Sequence, residues 1–356
     1  MKIVSIVGAR PQFVKAAPVS TALRKQHHEL LLHTGQHYDD NMSKVFFDEL
    51  GIPRPDINLE VGSDSHARQT AAIMIGIETF LDREKPDVVL VYGDTNSTLA
   101  GAVAAAKLHI SVAHVEAGLR SFNRAMPEEI NRIVADKVAD ILFCPTETAV
   151  SNLANEGIKN GVFNVGDVMY DAALRFAPIA EQKSKVLERL SLEPKSYLLL
   201  TLHRAENTDS VQNLGSIVAA MVQSKNPIIF PAHPRSVKLL KQFQLYEKLA
   251  GAENMILIEP VSFIDMIMLE KNAQKIVTDS GGVQKEAYFY QVPCITLREE
   301  TEWVETVEDG WNCLVGANVE KIISSIQNFL PESPQQGHYG DGNASEKLVD
   351  VLNELF

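Results

Sequence analysis

Short runs of apolar, often β-branched residues alternate with longer segments of mixed polarity along the whole chain. Apolar runs without polar alternation are typical of parallel strands buried on both faces, and the longer segments have the spacing of helices that cover such a sheet. In the first half the predicted strands are residues 2–7, 29–33, 88–92, 111–115, 141–144 and 162–165. The predicted helices between them are residues 13–26, 66–84, 96–107, 128–138 and 148–156.

The same pattern starts again in the second half of the chain. A second set of strands is predicted at residues 197–202, 227–232, 255–258, 275–278 and 293–297. The pattern indicates the α/β class with two Rossmann-like, doubly wound domains. We expect a first domain of residues 1–168, to which a final helix within residues 343–356 returns, and a second domain of residues 169–342.

Composition and charge limit the possible functions. A chain of 356 residues is longer than one hydrophobic core usually serves, and its net charge of −13 argues against a nucleic-acid partner. Cys144, Cys294 and Cys313 lie far apart among apolar residues, so we interpret them as buried thiols. Because no apolar run is long enough for a signal peptide or a membrane span, we expect a cytoplasmic protein without a membrane partner.

Polar residues follow the first two strands, where open α/β sheets carry their functional groups. Arg10 lies near the amino end of the first helix, and Lys15 follows one turn later. Both side chains could serve a binding site, or both could be ordinary solvated groups. Gln36 and His37 follow the second strand, where they could bind a ligand or cap a loop.

Three acidic residues are predicted at the same edge of the first sheet. Asp94 and Glu116 directly follow predicted strands, and Glu128 begins a helix that also contains Arg132. Asp94 could instead cap the next helix, and Glu128 could simply complement a helix dipole. A buried carboxylate such as Glu116 is costly unless it has a partner or a purpose. Together the three groups are what proton removal and return at a carbon centre require.

The second domain carries candidate phosphate ligands. His203, Arg204 and Asn207 follow one strand, and His233 follows the next. The sharpest signal is a strand that turns through Ser280, Gly281 and Gly282 into a helix, because free backbone N–H groups at such a turn suit a diphosphate. The helix continues to Glu286, which could bind a ribose diol, and Arg298 follows the next strand; a purely structural glycine turn is the alternative. No metal motif and no dinucleotide GxGxxG fingerprint follows any strand, so no cofactor is expected.

These motifs resemble the non-hydrolysing UDP-N-acetylglucosamine 2-epimerases over essentially the whole chain. The resemblance rests on GARP (8–11), GQH (35–37), GDT (93–95), HVEAGLR (114–120), PEE (127–129), HRAEN (203–207), DSGG (279–282) and YGDG (339–342). It implies a fold like that of GT-B glycosyltransferases, an active site in the cleft between the domains, a homodimer, and a UDP-sugar substrate. The implied mechanism is elimination of UDP to a 2-acetamidoglucal, followed by re-addition of UDP with the proton delivered to the opposite face.

The resemblance also implies residue roles. Asp94, Glu116 and Glu128 would form the acid/base group, with His203 close to the reacting centre. Lys15 would help to bind the substrate, and UDP would be held by Arg10, Ser280, Gly281, Gly282, Glu286 and Arg298. Gln36, His37 and Arg68 match a site that holds a second UDP-sugar as an allosteric activator in family members, although Asp39 replaces a longer polar residue there.

Two departures from the family pattern suggest an alternative substrate. The usual opening GTRPE is GARPQ here, and the usual TERPE is TEWVE at residues 301–305. Both variants resemble the branch that acts on UDP-2,3-diacetamido-2,3-dideoxyglucuronic acid, and the loss of an acid at Gln12 would ease binding of a carboxylated sugar. The rival functions are a GT-B glycosyltransferase, a hydrolysing epimerase and a non-enzymatic nucleotide-sugar sensor.

Overall fold

The computed structural model describes residues 1–36 and 54–356, and of Arg10 the backbone alone. The chain divides into two units, Met1–Arg175 with Gly337–Phe356, and Phe176–Gln336. The change from the first unit to the second lies within one helix, Val168–Lys183. Within the described residues, no helix is both long and apolar enough to span a membrane.

Unit 1 contains a parallel sheet of seven strands in the order β3-β2-β1-β4-β5-β6-β7. Its strands are β1 Lys2–Val7, β2 His28–His33, β3 Ile57–Asn58, β4 Val88–Tyr92, β5 Ser111–Val115, β6 Ile141–Cys144 and β7 Val162–Asn164. Its helices are α1 Arg10–Leu23, α2 His66–Glu84, α3 Asn96–Lys107, α4 Pro127–Val138, α5 Glu147–Asn155 and the start of α6 Val168–Lys183. The last helix of the chain, Ala344–Leu355, also belongs to this unit.

Burial explains the central strands of unit 1. Every residue of β4 is buried, because apolar side chains of β1 and β4 pack against α2 and α3. Gly101 allows α3 to approach closely, since a Cβ there would lie 2.8 Å from Ile6 Cδ1. Helix α3 begins at an N-cap threonine, Thr95, whose hydroxyl accepts a hydrogen bond from the backbone N–H of Thr98.

Unit 2 contains a parallel sheet of six strands in the order β10-β9-β8-β11-β12-β13, which is the Rossmann order. Its strands are β8 Leu198–Thr201, β9 Ile228–Pro231, β10 Met255–Ile258, β11 Lys275–Thr278, β12 Cys294–Thr296 and β13 Asn312–Leu314. Its helices after α6 are α7 Val186–Arg189, α8 Ala205–Thr208, α9 Val211–Gln223, α10 Pro234–Gln242, α11 Tyr246–Ala250, α12 Phe263–Asn272, α13 Gly281–Phe289, α14 Val304–Glu308 and α15 Val319–Asn328. The final helix of the chain is α16.

The last helix is tied to unit 1 by a buried carboxylate. Helix α16 packs against α1. Asp171 Oδ1 accepts a hydrogen bond from Ala344 N at 3.0 Å, and Oδ2 accepts one from Ser345 N at 2.7 Å. These two N–H groups lie in the first turn of α16, where a helix has no backbone partners of its own, so Asp171 satisfies both.

Candidate active site

Two candidate acid/base groups follow neighbouring strands of unit 1. Strands β4 and β5 are paired in register from Val88 opposite Ser111 to Tyr92 opposite Val115. Asp94 and Glu116 therefore follow the carboxyl ends of adjacent strands, as the sequence predicts. The turn between β4 and α3 is joined to β5 by a hydrogen bond of 2.9 Å from Gly93 N to Val115 O.

Glu116 has a backbone conformation that side chains rarely adopt. Its φ is +73°, in the left-handed region, and its carboxylate is buried in an ion pair with Lys15. Such a conformation costs about 1–3 kcal/mol and persists only where the surroundings impose it. Two hydrogen bonds to Phe143 O, from Glu116 N and Ala117 N, hold the backbone at this point. The carboxylate therefore has both a partner and a fixed position.

Asp94 is held by a buried arginine. Arg132 forms an ion pair with Asp94 through Nη2, and its Nη1 donates to Glu129 Oε2 at 3.0 Å. The interpretation of Asp94 as the cap of α3 is wrong, because Thr95 occupies that position. About 31% of the Asp94 side chain is exposed, so its carboxylate is paired and still accessible.

Glu128 and Glu129 are adjacent on α4 but have different environments. Glu129 is 1% exposed, and it accepts hydrogen bonds from Ser121 N, Ser121 Oγ and Phe122 N. Glu128 is half-buried, and its carboxylate forms no hydrogen bond or ion pair with residues 1–36 or 54–356. Glu129 therefore maintains the loop before α4, whereas the Glu128 carboxylate is available for chemistry.

The predicted residues after β1 and β2 are only partly described. Gln36 Oε1 accepts hydrogen bonds from Ser97 N at 3.1 Å and Ser97 Oγ at 2.7 Å, at the start of α3. His37 and Asp39, as well as the side chain of Arg10, lie outside the described part of the chain. Gln36 is thus joined to the helix that follows Asp94.

Gln12 does not have the sugar-facing position that the alternative substrate would require. It is 1% exposed, and its Oε1 accepts from Gly8 N at 2.8 Å and Ala9 N at 2.9 Å. Its Nε2 donates to Tyr92 O at 2.7 Å and to Thr98 Oγ1 at 3.1 Å. All hydrogen-bonding positions of the amide are used inside unit 1, so Gln12 braces the turn after β1.

A buried network lies beneath this edge of the sheet, and its partnerships were not predicted from the sequence. His114 contacts Asp136 through Nδ1 and the Gly93 carbonyl through Nε2, each at 2.7 Å. Arg120 donates to Asp136 and forms a bidentate pair with Glu156, from Nε to Oε1 at 2.6 Å and from Nη2 to Oε2 at 2.9 Å. The HVEAGLR motif contains two of these residues, but their partners are separated from them by 16 to 36 positions.

In unit 2 one buried aspartate organises the loop after β8. Asp279 is 0% exposed and accepts from His203 N at 3.1 Å and Arg204 N at 3.0 Å. Asn207 donates to Asp279 at 3.3 Å and to Leu297 O at 2.9 Å, so the predicted ligand Asn207 is a buried brace of the loop.

His203 is the most exposed member of this group, with 47% of its side chain accessible. Partial burial, followed by the charges of Arg204, His233 and Arg235, lowers the pKa of His203 despite the opposing charge of Asp279. The imidazole is therefore neutral at pH 7. His233 is exposed at the N-cap of α10, where its Nδ1 accepts from Arg235 N at 3.2 Å.

The predicted diphosphate cradle is the amino end of α13. Ser280 is the N-cap, and its hydroxyl makes no capping hydrogen bond within the described residues. A Cβ at Gly281 would lie 2.7 Å from Glu302 Oε1, whereas at Gly282 the only described atom within 4 Å is Ser280 Oγ, at 3.9 Å. Gly281 is required for packing, and Gly282 borders open space.

Two further predicted ligands lie near the cradle: Glu286 is on the same helix, and Arg298 bonds Glu302, which lies beside Gly281. Arg298 is 3% exposed and donates from Nη1 to Glu302 Oε2 at 3.0 Å, so it sits beneath the Gly281 turn. Glu286 is half-buried on α13, one turn after Gly282. In residues 1–36 and 54–356 no three His, Cys, Asp or Glu side chains gather as potential metal ligands.

Comparison with known proteins identifies the family of the chain. The family model "UDP-N-acetylglucosamine 2-epimerase" matches residues 21–353. A Methanococcus maripaludis protein, "UDP-N-acetylglucosamine 2-epimerase homolog", is 58% identical over the whole of both chains. The "UDP-2,3-diacetamido-2,3-dideoxy-D-glucuronate 2-epimerase" of Pseudomonas aeruginosa is 47% identical, again over the whole of both chains.

A solved structure of a family member has the same fold as this chain. The crystal structure of the Methanocaldococcus jannaschii UDP-GlcNAc 2-epimerase in complex with UDP-GlcNAc and UDP superposes with a TM-score of 0.93 at 47% identity, covering 99% of this chain and all of that one. The fold is therefore the GT-B-like α/β type with two Rossmann-like units. The chain belongs to the UDP-N-acetylglucosamine 2-epimerase family.

Proposed function

We propose that this chain is a non-hydrolysing epimerase that interconverts UDP-N-acetylglucosamine and UDP-N-acetylmannosamine. The observation that carries the proposal is the pair of acidic groups after β4 and β5, each held by its own basic partner. Inversion at carbon 2 requires one group that removes a proton and another that returns it to the opposite face. Glu128 adds a third carboxylate, without a partner among residues 1–36 and 54–356.

The proposed reaction proceeds by elimination and re-addition. A carboxylate of the group Asp94, Glu116 and Glu128 takes the proton from carbon 2, the bond from carbon 1 to the diphosphate oxygen breaks, and a double bond forms between carbons 1 and 2. UDP leaves as the anion, and the product is a 2-acetamidoglucal. Re-addition of UDP to carbon 1, with a proton delivered to carbon 2 from the other face, completes the inversion.

The second unit supplies the proposed UDP site. Backbone N–H groups at Gly281 and Gly282, together with the dipole of α13, suit the negative charge of the departing diphosphate. The hydroxyl of Ser280 and the side chains of Arg298 and Glu286 complete the site, with Glu286 on the ribose. The other proposed ligands are Arg10, Lys15, Arg204 and His233, with the neutral imidazole of His203 near the reacting centre. Arg132 and Asn207 act through Asp94 and Asp279, respectively.

The same chemistry on UDP-2,3-diacetamido-2,3-dideoxyglucuronic acid is the second candidate. Identity of 47% with the Pseudomonas aeruginosa enzyme over the full length, together with the TEWVE variant, supports it. Buried Gln12 does not add support. Its amide accepts hydrogen bonds from Gly8 and Ala9 and donates to Tyr92 and Thr98, so none of its hydrogen-bonding positions is left for a sugar.

Proton NMR in D2O with each UDP-sugar separately tests the proposal. Manno product from UDP-N-acetylglucosamine, with deuterium at carbon 2, supports the plain epimerase, and product from the diacetamido sugar alone supports the second candidate. Transfer to an acceptor sugar or release of free N-acetylmannosamine would overturn both in favour of a glycosyltransferase or a hydrolysing epimerase.

Asp94→Asn and Glu116→Gln test the residue assignment. Both variants are expected to bind UDP like the wild type and to lose turnover, because an amide cannot exchange the proton at carbon 2. Asp140→Asn is the matched control, since Asp140 is exposed and bonds Val112 N at the opposite end of β5. Full activity in both Asp94→Asn and Glu116→Gln would contradict the assignment.

Assembly, regulation and location extend the proposal. A homodimer is expected in solution and is measured by sedimentation equilibrium. Activation by a second UDP-sugar near Gln36 would appear as initial rates that rise more steeply than hyperbolically with UDP-N-acetylglucosamine. The cytoplasmic location stays a prediction from the sequence.

A further inference from the structure

His114 on β5 lies between two hydrogen-bond acceptors. Its Nδ1 is 2.7 Å from Asp136 Oδ1, and its Nε2 is 2.7 Å from the carbonyl oxygen of Gly93. The residue is 0% exposed, so its ring does not contact bulk solvent. A neutral imidazole has one N–H donor and one acceptor nitrogen, and it therefore cannot satisfy two acceptors.

The position of the protons follows from the partners. A backbone carbonyl can only accept, so Nε2 carries a proton. Asp136 Oδ2 already accepts from Arg120 Nη1 at 2.7 Å and from Gly118 N at 3.2 Å, so a proton shared with His114 would have to lie between Oδ1 and Nδ1. The His114–Asp136 pair thus holds two protons, one on Nε2 and one between Nδ1 and Oδ1.

The surrounding charges place the second proton on the imidazole. Burial opposes the charged form of Asp136, but its Oδ2 accepts hydrogen bonds from the Arg120 guanidinium and from Gly118 N, and both bonds favour the carboxylate. Arg120 is in turn paired with Glu156. The group of buried His114, Arg120 and Asp136 with half-buried Glu156 thus contains two cations and two anions.

We propose that His114 is a positioning residue, protonated on both ring nitrogens between its two acceptors, that fixes the Gly93–Asp94 turn for catalysis. Gly93 is attached to β5 twice, through its N–H to Val115 O and through its carbonyl to His114. Its α-carbon lies against the Lys15 and Glu116 ion pair, and Asp94 follows directly. One buried residue therefore holds the turn that places Asp94 and that lies against Glu116.

His114 acts through Gly93 and does not itself exchange a proton with a substrate. Both ring nitrogens are already bonded, and the whole side chain is inside the unit. The consequence for catalysis rests on the proposed function, whereas the protonation state of the ring does not. The two can therefore be tested separately.

NMR of the 15N-histidine-labelled wild type tests the protonation state. At about pH 7.5, where an exposed histidine is neutral, one ring is expected to show both nitrogens in the protonated range of 15N shifts. His114→Gln assigns the signal by removing it. A neutral ring at His114, with one bare nitrogen, would overturn the proposal whether or not the protein is an epimerase.

Asp136→Asn tests the positioning effect. The amide can donate to a neutral His114 and accept from Arg120 and Gly118, so the hydrogen bond from Nε2 to Gly93 O remains but is weaker because its donor is no longer charged. Because the weaker bond holds the Gly93–Asp94 turn less firmly, we expect kcat to fall on the order of tenfold while KM stays within about twofold. The matched control is again Asp140→Asn, which should keep the wild-type kcat and the doubly protonated ring.

The remaining outcomes are distinguishable. A folded Asp136→Asn with wild-type kcat would overturn the positioning effect. If thermal melting shows that this variant is unfolded, His114→Gln replaces it, because a single neutral amide donor is expected to give the same loss of kcat. A wild type that epimerises neither UDP-sugar would instead overturn the proposed function and leave the 15N result to decide the state of His114.

Discussion

The ammonium group of Lys15 pairs with the carboxylate of Glu116 directly beside the α-carbon of Gly93. A Cβ at Gly93 would lie 3.0 Å from Lys15 Nζ and 3.1 Å from Glu116 Oε2. Two residues 101 positions apart in the chain thus meet over a glycine that also has a φ of +61°. Glycine is required here both for its conformation and for the space that it leaves.

Gly93→Ala is expected to impair activity more than it impairs folding. The left-handed conformation costs a non-glycine residue about 1–2 kcal/mol, and the methyl group would also displace the ion pair, so kcat should fall on the order of tenfold or more. Gly157→Ala is the control, because Gly157 has a φ of +80° and no described atom lies within 4 Å of its Cβ position. Equal kcat values for the two variants, measured beside their melting temperatures, would show that the ion pair is not disturbed.

Gly282→Ala is expected to weaken UDP binding without changing stability. The added methyl group would enter the open space at the amino end of α13, where the diphosphate is proposed to lie. Gly215→Ala on α9 is the control, since its Cβ position is also open among the described residues. Isothermal titration calorimetry measures the effect, and an unchanged Kd in Gly282→Ala would place the diphosphate elsewhere.

UDP binding is expected to raise the pKa of His203. In the ligand-free protein, partial burial and the positive charges of Arg204 and Arg235 hold this pKa below its ordinary value. A bound diphosphate adds negative charge and favours the imidazolium, so the midpoint of the His203 titration should move upward. An NMR titration with and without UDP measures it, using His203→Gln for assignment; a midpoint that falls or stays constant contradicts the proposed site.

Glu156→Gln is expected to reduce stability at neutral pH and to have little effect in acid. Hydrogen bonds from Arg120, the largest cause, lower the pKa of Glu156 in the folded state. A lowered carboxyl pKa stabilises the fold above the unfolded value of about 4.3, and the contribution is lost as the pH falls through the folded value. The free energies of unfolding in urea of wild type and variant should therefore differ at about pH 7 and converge once the pH falls below the lowered pKa of folded Glu156.

The control for that experiment is Glu188→Gln. Glu188 forms an exposed pair with Lys185, with an N–O distance of 3.9 Å, and such pairs contribute little. The free energy of unfolding of Glu188→Gln should differ little from that of the wild type at every pH. If the loss of unfolding free energy in Glu156→Gln grew as the pH fell, the pKa of Glu156 would be raised in the folded state and not lowered.

Sequence pattern predicted the elements that are buried on both faces. Strands β4 and β5 have the predicted bounds, because short, largely apolar runs suit strands that are buried on both faces. Strands β3 and β13 were not predicted, since they are edge strands of two and three residues with mixed polarity. Helix α1 begins at Arg10, three residues before the predicted start, because Pro11 and Gln12 form its first turn.

Residue types at the strand ends were readable from the sequence, but their partners were not. Glu116 was recognised as a costly carboxylate, yet nothing local indicates that Lys15 neutralises it. The sequence indicates Asp94 as a possible helix cap because Asp is common at N-caps. The fold shows instead that Thr95 is the N-cap and that Asp94 forms an ion pair with Arg132. Contacts made across the sheet depend on tertiary packing, which local spacing does not contain.

The division of the chain has a consequence for its synthesis. Unit 2 is one continuous stretch, whereas unit 1 includes residues on both sides of it, and Asp171 binds the first turn of α16. Domains fold as units while the ribosome delivers the chain from its amino end. Unit 2 can therefore fold before α16 is synthesised, whereas residues 1–175, which are translated before unit 2, need α16 to complete their own unit.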